Sequence, residues 1–112
     1  MAKSEGQKQS QKHEKRIAKA VNGSTTAASG AFWTRKGDIR SARWLIEHKY
    51  TGKKSKTIQS AELKKITNEA ILDGRTPIFG IHLDGEDYIL MLETDFLEIS
   101  NMLDELVNPE TT

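Results

Sequence analysis

At 112 residues the chain is long enough for one domain with a modest core and too short for two. With no cysteine it has no disulfide and no thiolate ligand or nucleophile, and no apolar run approaches the ~20 residues that cross a bilayer. The formal net charge of +1 hides a division: residues 1–56 hold 14 Lys and Arg against four acids, whereas residues 57–112 hold three against 12.

Residues 1–9 are polar and read as a disordered basic tail before a single domain spanning 10–107, with 108–112 as a C-terminal tail. From Ser10 to about Asn22 the pattern predicts a short helix ended by Asn22-Gly23. Segment 24–36 begins as a small-residue loop and turns strand-like over Ala31–Thr34. Residues 37–41 and 43–50 predict a tight hairpin. Two-residue alternation sets Trp44, Ile46 and His48 on one face of its second strand and Leu45, Glu47 and Lys49 on the other. With a turn near Ala42-Arg43, Asp38 falls opposite Glu47.

A basic loop, TGKKSK, leads to a helix capped by Thr57 or Ser60, carrying Leu63, Ile66 and Ala70 on its buried stripe and stopping at Gly74. Strands at 77–83 and 87–93 follow, joined by the hairpin signal Asp84-Gly85. A last amphipathic helix from about Asp95 to Val107 is expected to bury Phe96, Ile99, Leu103 and Leu106. The order α-β-β-β-α-β-β-α implies an α/β fold, a mixed sheet of about five strands flanked by helices.

The basic half predicts a polyanion-binding face, with nucleic acid the favoured partner. Arg35, Lys36, Arg40, Lys53, Lys54 and Lys56 are its candidate phosphate contacts, although a solvated loop would look the same at the last three. Within that half, acids oppose the phosphate binding around them, so Glu14, Asp38 and Glu47 need another reason. Converging carboxylates are costly unless a cation neutralises them, and hard oxygen donors suit Mg²⁺ or Mn²⁺. A lysine two residues beyond an acid projects from the same strand face and is placed to balance negative charge developing on a phosphate. The histidines His13, His48 and His82 are dispersed without HxH or HxxxH spacing, which offers no basis for a zinc site.

Asp38 followed by Glu47-His48-Lys49 resembles the PD-(D/E)xK nuclease signature, an acid on one strand and Glu-x-Lys on the next. With Glu14 in the preceding helix, Ser29-Gly30 in the loop between and Gln59 opening the next helix, residues 10–92 resemble the archaeal-type Holliday junction resolvases, phage-encoded relatives included. Gly37 stands where the signature has proline, and His48 occupies its usually apolar middle position.

The resemblance implies a restriction-endonuclease-like core, with Glu14, Asp38 and Glu47 as metal ligands and Lys49 as the catalytic lysine. It implies that Ser29 lies near the scissile phosphate and that Gln59 belongs to the DNA-binding surface. It further implies a Mg²⁺-dependent homodimer, with Mn²⁺ as a substitute, cutting symmetric strands of four-way DNA junctions. A cytoplasmic location is expected (the host cytoplasm for a phage-encoded member), with no membrane partner. A nicking or restriction-type nuclease built on the same site, or a DNA-binding accessory protein without catalysis, are the competing readings.

Overall fold

The computed structural model describes residues 4–25 and 38–108. Helix α1 (Glu5–Ala20) begins earlier than the composition suggested. Ser4 Oγ accepts from the Gln7 backbone N–H at 3.1 Å, and Gln7 Oε1 accepts from the Ser4 N–H at 3.0 Å. This reciprocal cap satisfies two helix-end donors, so residues 5–9 are helical rather than a disordered tail. The helix closes where Asn22 takes a left-handed φ of 56° and the Gly23 N–H reaches back to the Ala18 carbonyl at 2.7 Å.

Strands β1 (Ser24–Thr25), β2 (Asp38–Arg40) and β3 (Trp44–Thr51) then form an antiparallel meander. β1 falls where the sequence suggested a loop, and the strand expected at Ala31–Thr34 lies outside the described residues. Helix α2 (Ser60–Leu72) crosses over to β4 (Thr76–Leu83), which runs parallel to β3. Gln59, rather than Thr57 or Ser60, is the N-cap, its N–H held by Glu62 Oε2 at 3.1 Å. Gly74 follows α2 at φ 68°, the left-handed stop expected of it. β5 (Glu86–Leu90) returns antiparallel through Asp84 and Gly85, at φ 48° and 79°, the pair of positive dihedrals that a type I′ turn demands. Helix α3 (Glu93–Val107) ends the described chain.

The five strands among the described residues form one mixed sheet in the order β1-β2-β3-β4-β5, with helices on both faces. On one face α1 contributes Ala18 to a cluster with Ile39, Ile46 and Ile78, and Ile17, Val21, Trp44 and Met91 pack around it. On the other, Ile66 and Ala70 of α2 pack on Leu45. β4 has helices on both sides, so Pro77, Ile78, Phe79, Gly80 and Ile81 are all buried, and Phe79 is 1% exposed.

Helix α3 departs from expectation. It was expected to bury Phe96, Ile99, Leu103 and Leu106, yet none of its residues is buried, and no described element packs broadly against it. Ile99 lines an apolar groove left over the sheet beside α1, while Phe96, Leu103 and Leu106 stay exposed among the described residues. No helix among the described residues is long and apolar enough to cross a membrane.

Candidate functional site

The β2–β3 ladder pairs Asp38 with Glu47, Ile39 with Ile46 and Arg40 with Leu45. The register sets the two acidic positions directly opposite one another on adjacent strands, where side chains in an antiparallel pair are close neighbours. Hydrophobic pattern decides it: Ile39 and Ile46 must meet on the α1 face and Leu45 must face α2. A slip by one residue would move both sets to the wrong side.

Glu47 therefore lies on the α2 face, 6% exposed, and Lys49 Nζ stands 3.5 Å from its Oε1. A carboxylate this deeply buried needs a countercharge, and the half-buried Lys49 supplies one. Glu47 and the acidic position opposite it are the residues of this ladder that could hold a cation.

Glu14 comes from α1, which packs across β1, β2 and β3 on the opposite face from Glu47. It lies one turn before Ala18, and Ala18 packs on Ile39, the chain neighbour of Asp38. Its carboxylate accepts from Ser10 Oγ at 2.9 Å. Ser29, Arg35 and Lys36 lie outside the described residues.

The basic candidates divide. Lys53 and Lys54 are exposed in the loop after β3, and Lys56 is half-buried. That loop is anchored by the Asp84 N–H donating to the Lys53 carbonyl at 3.2 Å. Arg40 is committed elsewhere: its Nε donates to Asp73 Oδ2 at 3.0 Å, and Arg75 holds the same carboxylate oxygen. The hydrogen bond from Arg40, outweighing the opposing effect of burial and reinforced by Arg75, keeps the Asp73 carboxyl below its ordinary 3.8. Gln59 serves as a helix cap.

The α1 face carries a grouping that the sequence did not announce. His13 of α1, His48 and Tyr50 of β3 and His82 of β4 form a stack, with ring centroids 5.7 Å apart for His13–His48 and 4.2 Å for His13–His82. Tyr50 and His82 stack at 5.2 Å because the parallel register pairs them directly. Gly80, opposite His48, makes room for this: a Cβ there would stand 3.2 Å from His48 Cδ2. Burial pushes the His48 imidazole down to about 4, helped by the neighbouring His13, so it is neutral at physiological pH.

Asp87 of β5 closes the group, 2.8 Å from His82 Nδ1 and 3.4 Å from an Arg16 guanidinium nitrogen. The His82 hydrogen bond is the largest influence holding Asp87 below its ordinary value. One ligand atom from each of His13, His82 and Asp87 lies within 4.8 Å of the others. However, the His13 and His82 rings lie tilted by 31° against each other, and the Asp87 carboxylate is already engaged by His82 Nδ1 and Arg16. The grouping thus reads as a stacked and hydrogen-bonded pin between α1 and the β4–β5 hairpin. It also accounts for His48 in the middle of Glu-x-Lys, since this position faces α1 and not the acids. No spacing rule exposes it, because its members come from four separate elements brought together by strand register.

No family model matches the chain, and neither a curated protein nor a solved structure shows significant similarity to it.

Proposed function

We propose that this chain is a Mg²⁺-dependent DNA endonuclease on a restriction-endonuclease-like core, with the four-way junction as its favoured substrate. The observation that carries the reading is the register that sets Asp38 opposite Glu47, with Lys49 two residues on and 3.5 Å from the buried Glu47 carboxylate. The chain order of helix, antiparallel meander, crossover helix and parallel strand is the order that the resemblance to the PD-(D/E)xK nucleases implies. Support for DNA comes from the basic first half and the exposed Lys53 and Lys54 on the loop directly after β3.

In this reading Asp38 and Glu47 would hold the cation. A bound divalent cation would supply Lewis acidity and lower the pKa of a coordinated water. Lys49 orients the attacking water and places positive charge beside the phosphate as negative charge builds on its oxygens. Hydrolysis forms one P–O bond from water and breaks one P–O bond of the backbone, the leaving oxygen gaining a proton. Lys53 and Lys54, with Lys56 at the base of the loop, hold flanking phosphates and set the strand over the acids without reading bases.

The test is cleavage of labelled four-way junction, flap and linear duplex in Mg²⁺ by wild type and Asp38→Asn, with binding followed by gel shift. Junction cleavage lost in the variant while binding is retained supports the reading. Preference for linear duplex would reassign the substrate to a nicking or restriction-type nuclease. Binding without cleavage of any substrate by the wild type would make the chain an accessory binding protein and overturn the assignment.

A further inference from the structure

Among the described residues the apolar stripe of helix α3 is mostly uncovered. Phe96, Ile99, Leu103 and Leu106 recur at the spacing of one helical face, yet Phe96, Leu103 and Leu106 are 56%, 55% and 78% exposed. Tyr88, Ile89 and Leu90 of the edge strand β5 are exposed as well, as is Leu92. A 15-residue helix is at the margin of stability in water without a packed face, so α3 needs a surface to rest on.

The same chain has an open apolar groove of about 460 Å³ over the sheet, alongside α1 and reaching β5. Ile17, Val21, Trp44 and Met91 line it together with Arg16, and Ile99 of α3 borders it within the same chain. Charge distinguishes the two surfaces. α3 carries Glu93, Asp95, Glu98, Asp104 and Glu105 and no base, while α1 carries Lys8, Lys12, Lys15, Arg16 and Lys19 against Glu5 and Glu14.

We propose that α3 of one copy lies along this groove in a second copy, its acids over the basic α1, and that the exchange is mutual. Both halves of the contact are present in one sequence, so a two-fold pairing satisfies them twice with no other protein. Area agrees. Fully burying a large apolar side chain removes on the order of 100 Å² from water, so the ten exposed apolar residues between Tyr88 and Val107, about half exposed on average, offer roughly 500 Å². At the apolar share typical of homodimer interfaces, ~65%, that corresponds to roughly 800 Å² per partner, the size of a specific interface. The apolar area also lies toward the upper end of the largest apolar patch found on a typical monomer, roughly 300–600 Å². The pairing does not rest on the nuclease reading, and loss of that reading leaves it intact.

Carbodiimide coupling of an equal mixture of ¹⁴N and ¹⁵N wild-type chains tests it without any substitution. Links between α3 carboxylates and α1 lysines are expected in mixed-isotope pairs. Such links confined to same-isotope pairs, or their absence, overturn the proposal. Light scattering on a size-exclusion column should give a dimer, and a folded wild-type monomer at ~100 µM would refute it. Reversing Glu98, Asp104 and Glu105 to Lys, or Lys12, Lys15 and Lys19 to Glu, should each weaken the dimer by at least ~10-fold. The combined variant should recover most of that loss, and failure to recover while circular dichroism shows a folded chain contradicts the assigned contact.

Discussion

Replacing Gly23 by alanine should destabilise the protein severely, because this residue is where α1 is fastened to the sheet edge. Its N–H bonds the Ala18 carbonyl at 2.7 Å, and the next residue, Ser24, pairs with Arg40. A Cβ at position 23 would stand well under 3 Å from the Arg40 carbonyl oxygen, 3.0 Å from its carbon and 3.1 Å from Ser41 Cβ. The neighbours are backbone, and Arg40 is fixed by β1, by β3 and by its bond to Asp73, so no flexible side chain gives way. Relief requires a backbone shift of roughly 1 Å from a distance that is normally ~3.3 Å or more. Overpacked cores lose ~1–3 kcal/mol, and a backbone clash belongs at or above the upper end. For a domain of this size, ~3 kcal/mol lowers Tm by roughly 12–20 °C. Thermal melts followed by circular dichroism measure it, with Gly6→Ala as the control. There the nearest atom to a new Cβ is 3.9 Å away, and alanine inside a helix is favourable by ~0.5–1 kcal/mol. A Gly23→Ala protein melting within about 2 °C of wild type would refute the reasoning.

Three further outcomes are expected. Phe79→Ala empties a site that is 1% exposed and should cost ~3–5 kcal/mol in urea unfolding. The Asp73 carboxyl titrates below its ordinary 3.8, so its contribution to stability is present above that value and lost as pH falls through the lower folded value. Asp73→Asn should therefore flatten the decline of unfolding free energy below about pH 4, and an unchanged slope would argue against the Arg40–Asp73–Arg75 cluster. Lys53→Ala with Lys54→Ala should weaken DNA binding alike on all sequences and reduce the slope of log K against log salt by about 1 per lost phosphate contact. An unchanged slope would mean that these lysines are solvated.

The parts legible in the sequence are those with a local physical signal. The Asp84-Gly85 turn, the Gly74 stop and the alternation in β3 each follow from dihedral or burial constraints within a few residues. Alternation in β3, combined with a tight turn, was enough to set Asp38 opposite Glu47. The start of α1 was legible too, since Ser4 and Gln7 have capping-box spacing, but tail-like composition outweighed it. What was not legible depends on which surfaces meet. The stripe of α3 announces an amphipathic helix correctly and says nothing about whether its own chain covers it. Arg40 read as a phosphate contact because Asp73, 33 residues away, is brought to it only by the fold. The histidine stack needed the β3–β4 register, which no single segment encodes.

The central claim is that Glu47, opposite Asp38 and beside Lys49, is the metal-binding heart of a nuclease site. The most direct measurement is the single-turnover rate of four-way junction cleavage in Mg²⁺ for wild type and Glu47→Gln, an isosteric change that removes the charge, with both proteins shown to be folded and to bind the junction. The account predicts Mg²⁺-dependent cleavage by the wild type, abolished by chelator, and a fall of at least ~10²-fold in the variant. Cleavage by Glu47→Gln at the wild-type rate would contradict it.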